Sequence, residues 1–563
     1  MYIQIMASLQ KVKVKGKTYW RIVVSKRVNG KPRAIPVLHL GTADQILERI
    51  MSAPQGILRL QSFQHGDVAA LKRMADALGI VDIINRHADQ TARKISVGTT
   101  IFLAAINRAI RPRSKRSFAT WAKGTSIGRL FDLELETFTS QFFWDQMEAL
   151  PIQALERIED ELTRRVLDVF KIRLSTLCYD TTNFFTYIAG DNLKSTLAER
   201  GHNKQKRRDL KQFSLALLVS RDGQIPLCSH VYEGNEVDVA IFPDSLARMK
   251  QRLTGLASPL DELTLVYDKG NNSRKNQALI DAAPFSYVAS LTPSHHRDLL
   301  AIPAQRYTPL DTGPLAGLSV FRCQDSIWDK ERTLVLLISE KLRQGQIQGF
   351  DQQLIKRLRV LYEWKRTLAK PNSGPRSLEN ARKRIDKLLE GQHIKEVLKI
   401  EYHSLRKGEA RLTWELDRQA KTYLENEVFG KRFLVTDRGD WATEEIIAAY
   451  NGLSQVEAAF RQLKNTEHLA VRPQYHWTDQ KVRVHAFICL LALLLTRLLE
   501  REAKNLGFSI SSNALLEKLA TIRLAMVLRP AGQQGGRPKT EWIIEQNEDT
   551  SALDLFHQLV PQE

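Results

Sequence analysis

Between residues 171 and 300 the chain alternates short β-rich runs with stretches long enough for helices, and that alternation admits few architectures. "RLSTLCYD", "QFSLALLVSRDGQIPLCSHVY", "LTLVYD" and "FSYVASL" are rich in the β-branched and aromatic residues that favour strands. Asp222-Gly223 marks a hairpin turn inside the second of them. Strands and helices interleaved in this way fold as an α/β domain, with helices covering the faces of a sheet.

Two of these runs end in aspartate, "LSTLCYD" at Asp180 and "LTLVYD" at Asp268. An ionised carboxylate is costly inside a sheet. At a strand end it meets solvent or a cation, or it opens a turn or caps a helix. Two such ends on adjacent strands would bring two carboxylates together, and their repulsion would require a cation to offset it. Mg2+ suits such a site, because it prefers hard oxygen ligands and keeps several waters.

The flanking sequence is less restrictive. Residues 8 to 41 read as strands, with Asn29-Gly30 as a hairpin signal. No acidic residue occurs from Lys11 to Arg33, so this ribbon suits DNA phosphates and equally suits a solvated face. From 62 to 170 the spacing of apolar residues is helical, as in "GDVAALKRMADALGIVDIINRH" and "VGTTIFLAAINRAI". A DNA-binding block and a plain packing block both fit it. Residues 301 to 345 are again β-rich, and 346 to 390 are helical with a break at "KPNSGPRS". A hairpin from "VLKIEYH" and "ARLTWELDR", the strand "KRFLVTD" and a long helical region over 443 to 505 follow, and the tail holds a Gly/Gln-rich turn near Gly535.

The chain carries 83 Lys and Arg against 63 Asp and Glu, a net charge of +20. Such an excess favours a polyanionic partner without choosing between DNA, RNA and an acidic membrane. The four cysteines, Cys178, Cys228, Cys323 and Cys489, form no CxxC pair and sit in apolar stretches, so buried thiols are expected rather than disulfides or zinc ligands. The N-terminus lacks the continuous apolar core of a signal peptide. The most apolar run, Ala486 to Glu500, is interrupted by Arg497 and is short against the roughly 20 residues of a bilayer span, so it reads as a buried helix.

One further stretch, "YNGLSQVEAAFRQLKN" from Tyr450 to Asn465, has helical spacing. Val456, Phe460 and Leu463 make an apolar stripe, and Tyr450, Glu457, Arg461 and Lys464 a polar one. On spacing alone the polar stripe is an exposed Glu–Arg ladder worth about 0.3–0.5 kcal/mol.

The same stretch resembles the glutamate-bearing signature of insertion-sequence transposases of the DDE class, in which Tyr, Arg, Glu and Lys recur at fixed intervals on one helix. The matching positions are Tyr450, Leu453, Glu457 and Lys464, with Leu453 where the motif has Arg. "CYDTTNFF" resembles the first-aspartate motif of that group and "VYDKGNNSRKN" the second. The run from Arg200 to Asp238 and "RPQYHWTDQKVRVHAFICLLALLL" resemble the segments that follow the first aspartate and the glutamate. The likeness covers about 171 to 300 and 430 to 500, with three motifs in the right order.

The resemblance implies an RNase H-like core, a mixed sheet with helices on both sides. It implies core segments over 171–300 and 431–505 with an α+β insertion over 301–430; the residue pattern adds a basic β-rich region over 1–60, a helical and possible DNA-binding region over 61–170, and a C-terminal region over 506–563. Asp180, Asp268 and Glu457 are then the catalytic carboxylates and hold two Mg2+ ions, for which Mn2+ can substitute. The implied reaction cuts transposon ends and joins the freed 3′-hydroxyl to target DNA. Tyr450, Arg461 and Lys464 are expected at the DNA, with Arg461 alternatively holding Glu457 in place. Lys204, Lys206, Arg207 and Arg208 form a basic cluster suited to phosphate. The implied partner is double-stranded DNA, both end repeats and target, with no membrane. A homodimer is expected on DNA, because two ends are joined, in a cytoplasmic, nucleoid-associated prokaryotic setting. Two alternatives stay open: a metal-dependent nuclease of the same core, and a catalytically silent transposase-derived DNA-binding protein.

Overall fold

The structure is a computed structural model that describes residues 7–28, 31–52, 59–89, 94–203, 205–256, 260–310, 313–369, 378–404, 410–472, 474–529 and 538–561. Asn29-Gly30, Lys204, "KPNSGPRS" and Gly535 lie outside the described residues. The chain forms two compact units, one from Met1–Arg73, Arg116–Phe138 and Asn513–Glu563, the other from Met74–Lys115 and Thr139–Ser512.

The first unit begins with an antiparallel sheet of β1 (Ala7–Val14), β2 (Lys17–Val28) and β3 (Lys31–Gly41). Lys15 and Gly16 join β1 to β2 with φ of 47° and 80°, the left-handed pair that a tight hairpin turn requires. The strand β4 (Arg59–Gln64) follows.

The second unit is built on a nine-stranded mixed sheet. Its strands are β5 (Thr176–Phe185), β6 (Gln212–Ser220), β7 (Pro226–Glu233), β8 (Thr264–Tyr267), β9 (Ser286–Leu291), β10 (Thr308–Leu310), β11 (Leu318–Ile327) and β12 (Lys330–Ser339), completed after a separate hairpin of β13 (Leu398–Ser404) and β14 (Ala410–Leu416) by β15 (Lys431–Thr436). The strand order is β10-β11-β12-β15-β9-β8-β5-β6-β7. The pairs β5–β8 and β8–β9 are parallel, and the other pairs are antiparallel. The short strand β8 is buried throughout, as a parallel strand covered on both faces must be, which explains why it carries no charged residue. The fold is therefore α/β with a large mixed sheet.

Three expectations shift. The sheet takes in β10 to β12, so the sheet extends into the stretch assigned to the insertion. From residue 340 onward a separate core forms around Phe350, Leu361, Trp364, Val397, Leu398 and Phe429, built from the helices Glu340–Leu368 and Leu378–Leu389 with β13 and β14. The long helical region over 443 to 505 is three helices, Thr443–Asn451, Leu453–Leu463 and Asp479–Asn505. The last of these continues beyond both ends of the apolar run. It is long and apolar enough to cross a membrane, and 94% of its most apolar stretch is buried inside the protein, where it packs on the helices Val97–Ile110 and Ile152–Phe170. Cys178, Cys228 and Cys489 are buried free thiols, and Cys323 is half-buried.

A polar knot ties the outer strands to the middle of the sheet. Arg332 on β12 donates to both oxygens of Asp281, at 3.0 and 2.7 Å, and to the Tyr287 hydroxyl of β9 at 2.6 Å. Returning to the first unit, β16 (Arg523–Arg529) pairs with both β4 and β17 (Lys539–Ile544), so strands from opposite ends of the sequence share one sheet. Beside β4, His65 Nδ1 lies 2.9 Å from Ser126 Oγ, and the buried Asp67 accepts from Gln64 and from the Val68 amide. Burial lowers the His65 pKa to about 4 and raises that of Asp67 to about 6.

Candidate active site

The register of three parallel strands sets one row of side chains. Tyr179 of β5, Tyr267 of β8 and Ala289 of β9 are paired neighbours, so the next residues, Asp180, Asp268 and Ser290, follow side by side on one face. Asp268 lies just past the end of β8, as its sequence suggests. Asp180 does not end its strand. β5 runs on to Phe185, paired with β6, but it has lost its neighbour on the other side because β8 stops at Tyr267. A carboxylate is tolerated there because one flank of the strand is open.

The helix Leu453–Leu463 lies on this same face. Gly452 at its start abuts Cys178, and Lys464 at its end donates to Thr182 Oγ1 at 2.5 Å with its ammonium 5.4 Å from the Phe184 ring. Cys178, Asp180, Thr182 and Phe184 alternate onto one side of β5. Glu457, midway along the helix, is therefore carried past Asp180, midway between the two anchors. Val456, Phe460 and Leu463 are buried beneath it, and Glu457 and Arg461 are exposed. Asp180, Asp268 and Glu457 line a single cavity of about 640 Å³.

The polar stripe drawn from the sequence is broken. Gly452 separates two helices, so Tyr450 belongs to Thr443–Asn451 and not to the helix of Glu457. Tyr450 is only 8% exposed, its hydroxyl donates to Asp268 Oδ1 at 2.9 Å, and Arg432 of β15 sits 5.3 Å over its ring. Tyr450 lines the cavity from a different helix than Glu457. Burial pushes the Tyr450 phenol above its ordinary pKa, so it remains a proton donor. Burial also opposes the charge of Asp268, yet hydrogen bonds from Ser290, the Lys269 amide and Tyr450 outweigh it and hold the carboxyl below its ordinary value. Among the described residues no ion pair joins Arg461 to Glu457.

Leu453 lines the cavity where the motif would have Arg, and the cations there come from elsewhere, namely Lys269, Lys431 and Arg432. Lys431 is turned inward, its ammonium donating to the Leu300 carbonyl at 2.8 Å. The far wall is supplied by the segment after β12, with Gln346, Phe350 and Gln353 from Glu340–Leu368, then His393 and Phe429. His393 holds a left-handed backbone with φ of 62°, and its Nδ1 is 2.8 Å from Glu396. Ser290, Arg432 and His393 carry no sequence signal that distinguishes them from ordinary strand and loop residues.

Of the basic cluster, Lys206, Arg207 and Arg208 are exposed on a loop. Arg207 is already engaged, donating to both oxygens of Asp209 at 2.8 and 2.6 Å, which lowers the Asp209 pKa to about 2. Among the described residues there is no group of three or more His, Cys, Asp or Glu side chains that could hold a metal ion as it stands. The donor chemistry nevertheless suits a hard cation: three carboxylates face one cavity, and one of them is held ionised.

No family model matches the sequence, and no curated protein matches it. Among solved structures the chain is similar to a piggyBac transposase in its synaptic complex with hairpin DNA, over 81% of this chain and 79% of that one, at 9% identity and a TM-score of 0.36. A likeness of that size does not establish a common fold.

Proposed function

We propose that this chain is a DNA transposase with an RNase H-like core, cutting the ends of a mobile element and joining them to target DNA. The observation that carries the reading is the meeting of Asp180, Asp268 and Glu457 on one cavity, from residues 88 and 189 positions apart in the chain (268 less 180, and 457 less 268). A mixed sheet whose central parallel strands bear the two aspartates supports it further.

In this reading the three carboxylates hold divalent metal, Mg2+ by preference, which supplies activation of the attacking oxygen and neutralises charge on the leaving one. The carboxylates orient that centre at the open end of the parallel strands. Arg461 and the exposed Lys206 and Arg208 bind phosphate, and Lys464, locked onto Thr182, keeps the Glu457 helix against β5. The segment after residue 340 closes the cavity from the far side and limits the space open to the scissile strand.

The test is a cleavage and joining assay on duplex DNA carrying the sequences that flank the reading frame. Mg2+-dependent nicking, followed by joining of a 3′-hydroxyl end to a target plasmid, is expected. Asp180→Asn, Asp268→Asn and Glu457→Gln should each abolish both steps while DNA binding persists. Cutting without joining would replace the reading by a nuclease. Full activity in any of the three variants would overturn it.

A further inference from the structure

The hydrogen bonds around Asp268 form a directed set. The Lys269 amide donates to Ser290 Oγ at 3.1 Å, so the one hydroxyl hydrogen of Ser290 is turned outward, and it falls on Asp268 Oδ1 at 2.7 Å. Tyr450 donates to that same oxygen at 2.9 Å. Both side-chain donors therefore end on Oδ1, the Lys269 amide that holds Ser290 also supports the carboxylate, and among the described residues no side chain donates to Oδ2. Ser290 is itself 2% exposed, and its backbone carbonyl accepts from Asn272 at 2.6 Å, so the donor is anchored as well as aimed.

The three groups come from separate elements: β9, the end of β8, and the helix Thr443–Asn451. A carboxylate that only capped a turn would need no such pair. Two donors converging on one oxygen fix the rotation of the carboxylate plane and reserve the second oxygen for another ligand.

We infer that Ser290 and Tyr450 are positioning residues, which hold Asp268 by Oδ1 so that Oδ2 is presented to a divalent cation in the cavity. The inference rests on the reading of Asp268 as a cation ligand. It gives Tyr450 a role inside the protein rather than on DNA, and it brings in Ser290, which no motif marks. Donor pairs of this kind orient a ligand before the ion arrives, and their loss typically weakens metal binding by about 10–100-fold.

The experiment is Mn2+ titration of the full chain without DNA, followed by electron paramagnetic resonance of the free ion, on the native protein, Asp268→Asn, Ser290→Ala, Ser290→Thr and Tyr450→Phe. Circular dichroism on each variant confirms that it folds. The expected result is weaker Mn2+ binding by about 10-fold or more in Ser290→Ala and Tyr450→Phe, near-native binding in Ser290→Thr, and loss of the site in Asp268→Asn. The Mg2+ concentration for half-maximal nicking should rise in the same order. Native binding in Ser290→Ala and Tyr450→Phe, with loss in Asp268→Asn, would overturn the positioning role and leave the transposase reading intact. Native binding in Asp268→Asn would overturn both.

Discussion

Gly452 is the joint between the helix that carries Tyr450 and the helix that carries Glu457, and replacing it by alanine tests how closely that joint must approach the sheet. An added Cβ would lie 2.7 Å from the Ala449 carbonyl oxygen and 3.2 Å from Cys178 Sγ. The first distance is too short for carbon against a backbone oxygen, so something must move. The backbone itself does not object, since φ and ψ of −58° and −20° are accessible to alanine. Two effects then compete. At backbone angles that both residues accept, alanine in place of glycine stabilises by about 0.4–1 kcal/mol by restricting the unfolded chain. Overpacking a closed contact costs about 1–3 kcal/mol. The net expectation for Gly452→Ala is a loss of between about zero and 2.5 kcal/mol. Activity should fall further than stability, because the contact strand also bears Asp180, and a displacement of about 1 Å at a reacting centre can lower a rate roughly 100-fold. Urea unfolding followed by tryptophan fluorescence, together with the nicking assay, measures both. Cys178→Ala combined with Gly452→Ala should recover part of the loss, giving a coupling energy of about 0.5 kcal/mol or more. A Gly452→Ala protein as stable as the native one and fully active would refute the argument that this glycine sets the approach of helix to strand.

Other variants address separate parts of the molecule. The Asp67 carboxyl, raised to about 6, makes the fold less stable as pH climbs from its unfolded value of about 4, with the full cost present at pH 7. Asp67→Asn should therefore stabilise the first unit at pH 7 by up to about 3 kcal/mol, and that gain should vanish below about pH 4 in thermal unfolding compared across pH. The opposite His65 contribution, lost as pH falls toward about 4, is common to both proteins and cancels in the difference. Arg332→Ala removes both guanidinium bonds to Asp281, which keeps Lys330 and Gln277 as partners, and should cost about 1–3 kcal/mol, whereas Arg332→Met with Asp281→Leu should cost less; both are read from urea midpoints. Lys206→Ala with Arg208→Ala should weaken DNA binding at low salt and lower the slope of log K against log salt by about 2, measured by fluorescence anisotropy.

The parts of this structure that were legible in the sequence are those fixed by short range. β6, β8 and β9 are apolar runs of strand length, and Asp268 is followed by a Gly- and Asn-rich turn, so its place at a strand end could be read directly. Asp180 was misjudged because Asp180 and Asn183 read as turn formers, whereas β5 continues through both on its pairing with β6; the strand end that matters there belongs to its neighbour. The break at Gly452 was hidden inside a regular helical spacing, since a single glycine does not interrupt periodicity. The hold of Ser290 and Tyr450 on Asp268 spans 22 and 182 residues, and nothing local in either residue marks it. The same is true of β10 to β12, whose amphipathic sequence is equally consistent with a separate hairpin or with the edge of a larger sheet.

The pairing of β4 with β16 also governs the order of events at the ribosome. Arg59 and Leu528 are register partners, so hundreds of codons are read between one edge of that small sheet and the other. At about 5–20 residues per second, the nascent amino-terminal segment waits roughly half a minute to a minute and a half for its mate. The large unit, all of whose strands emerge before β16, can complete first.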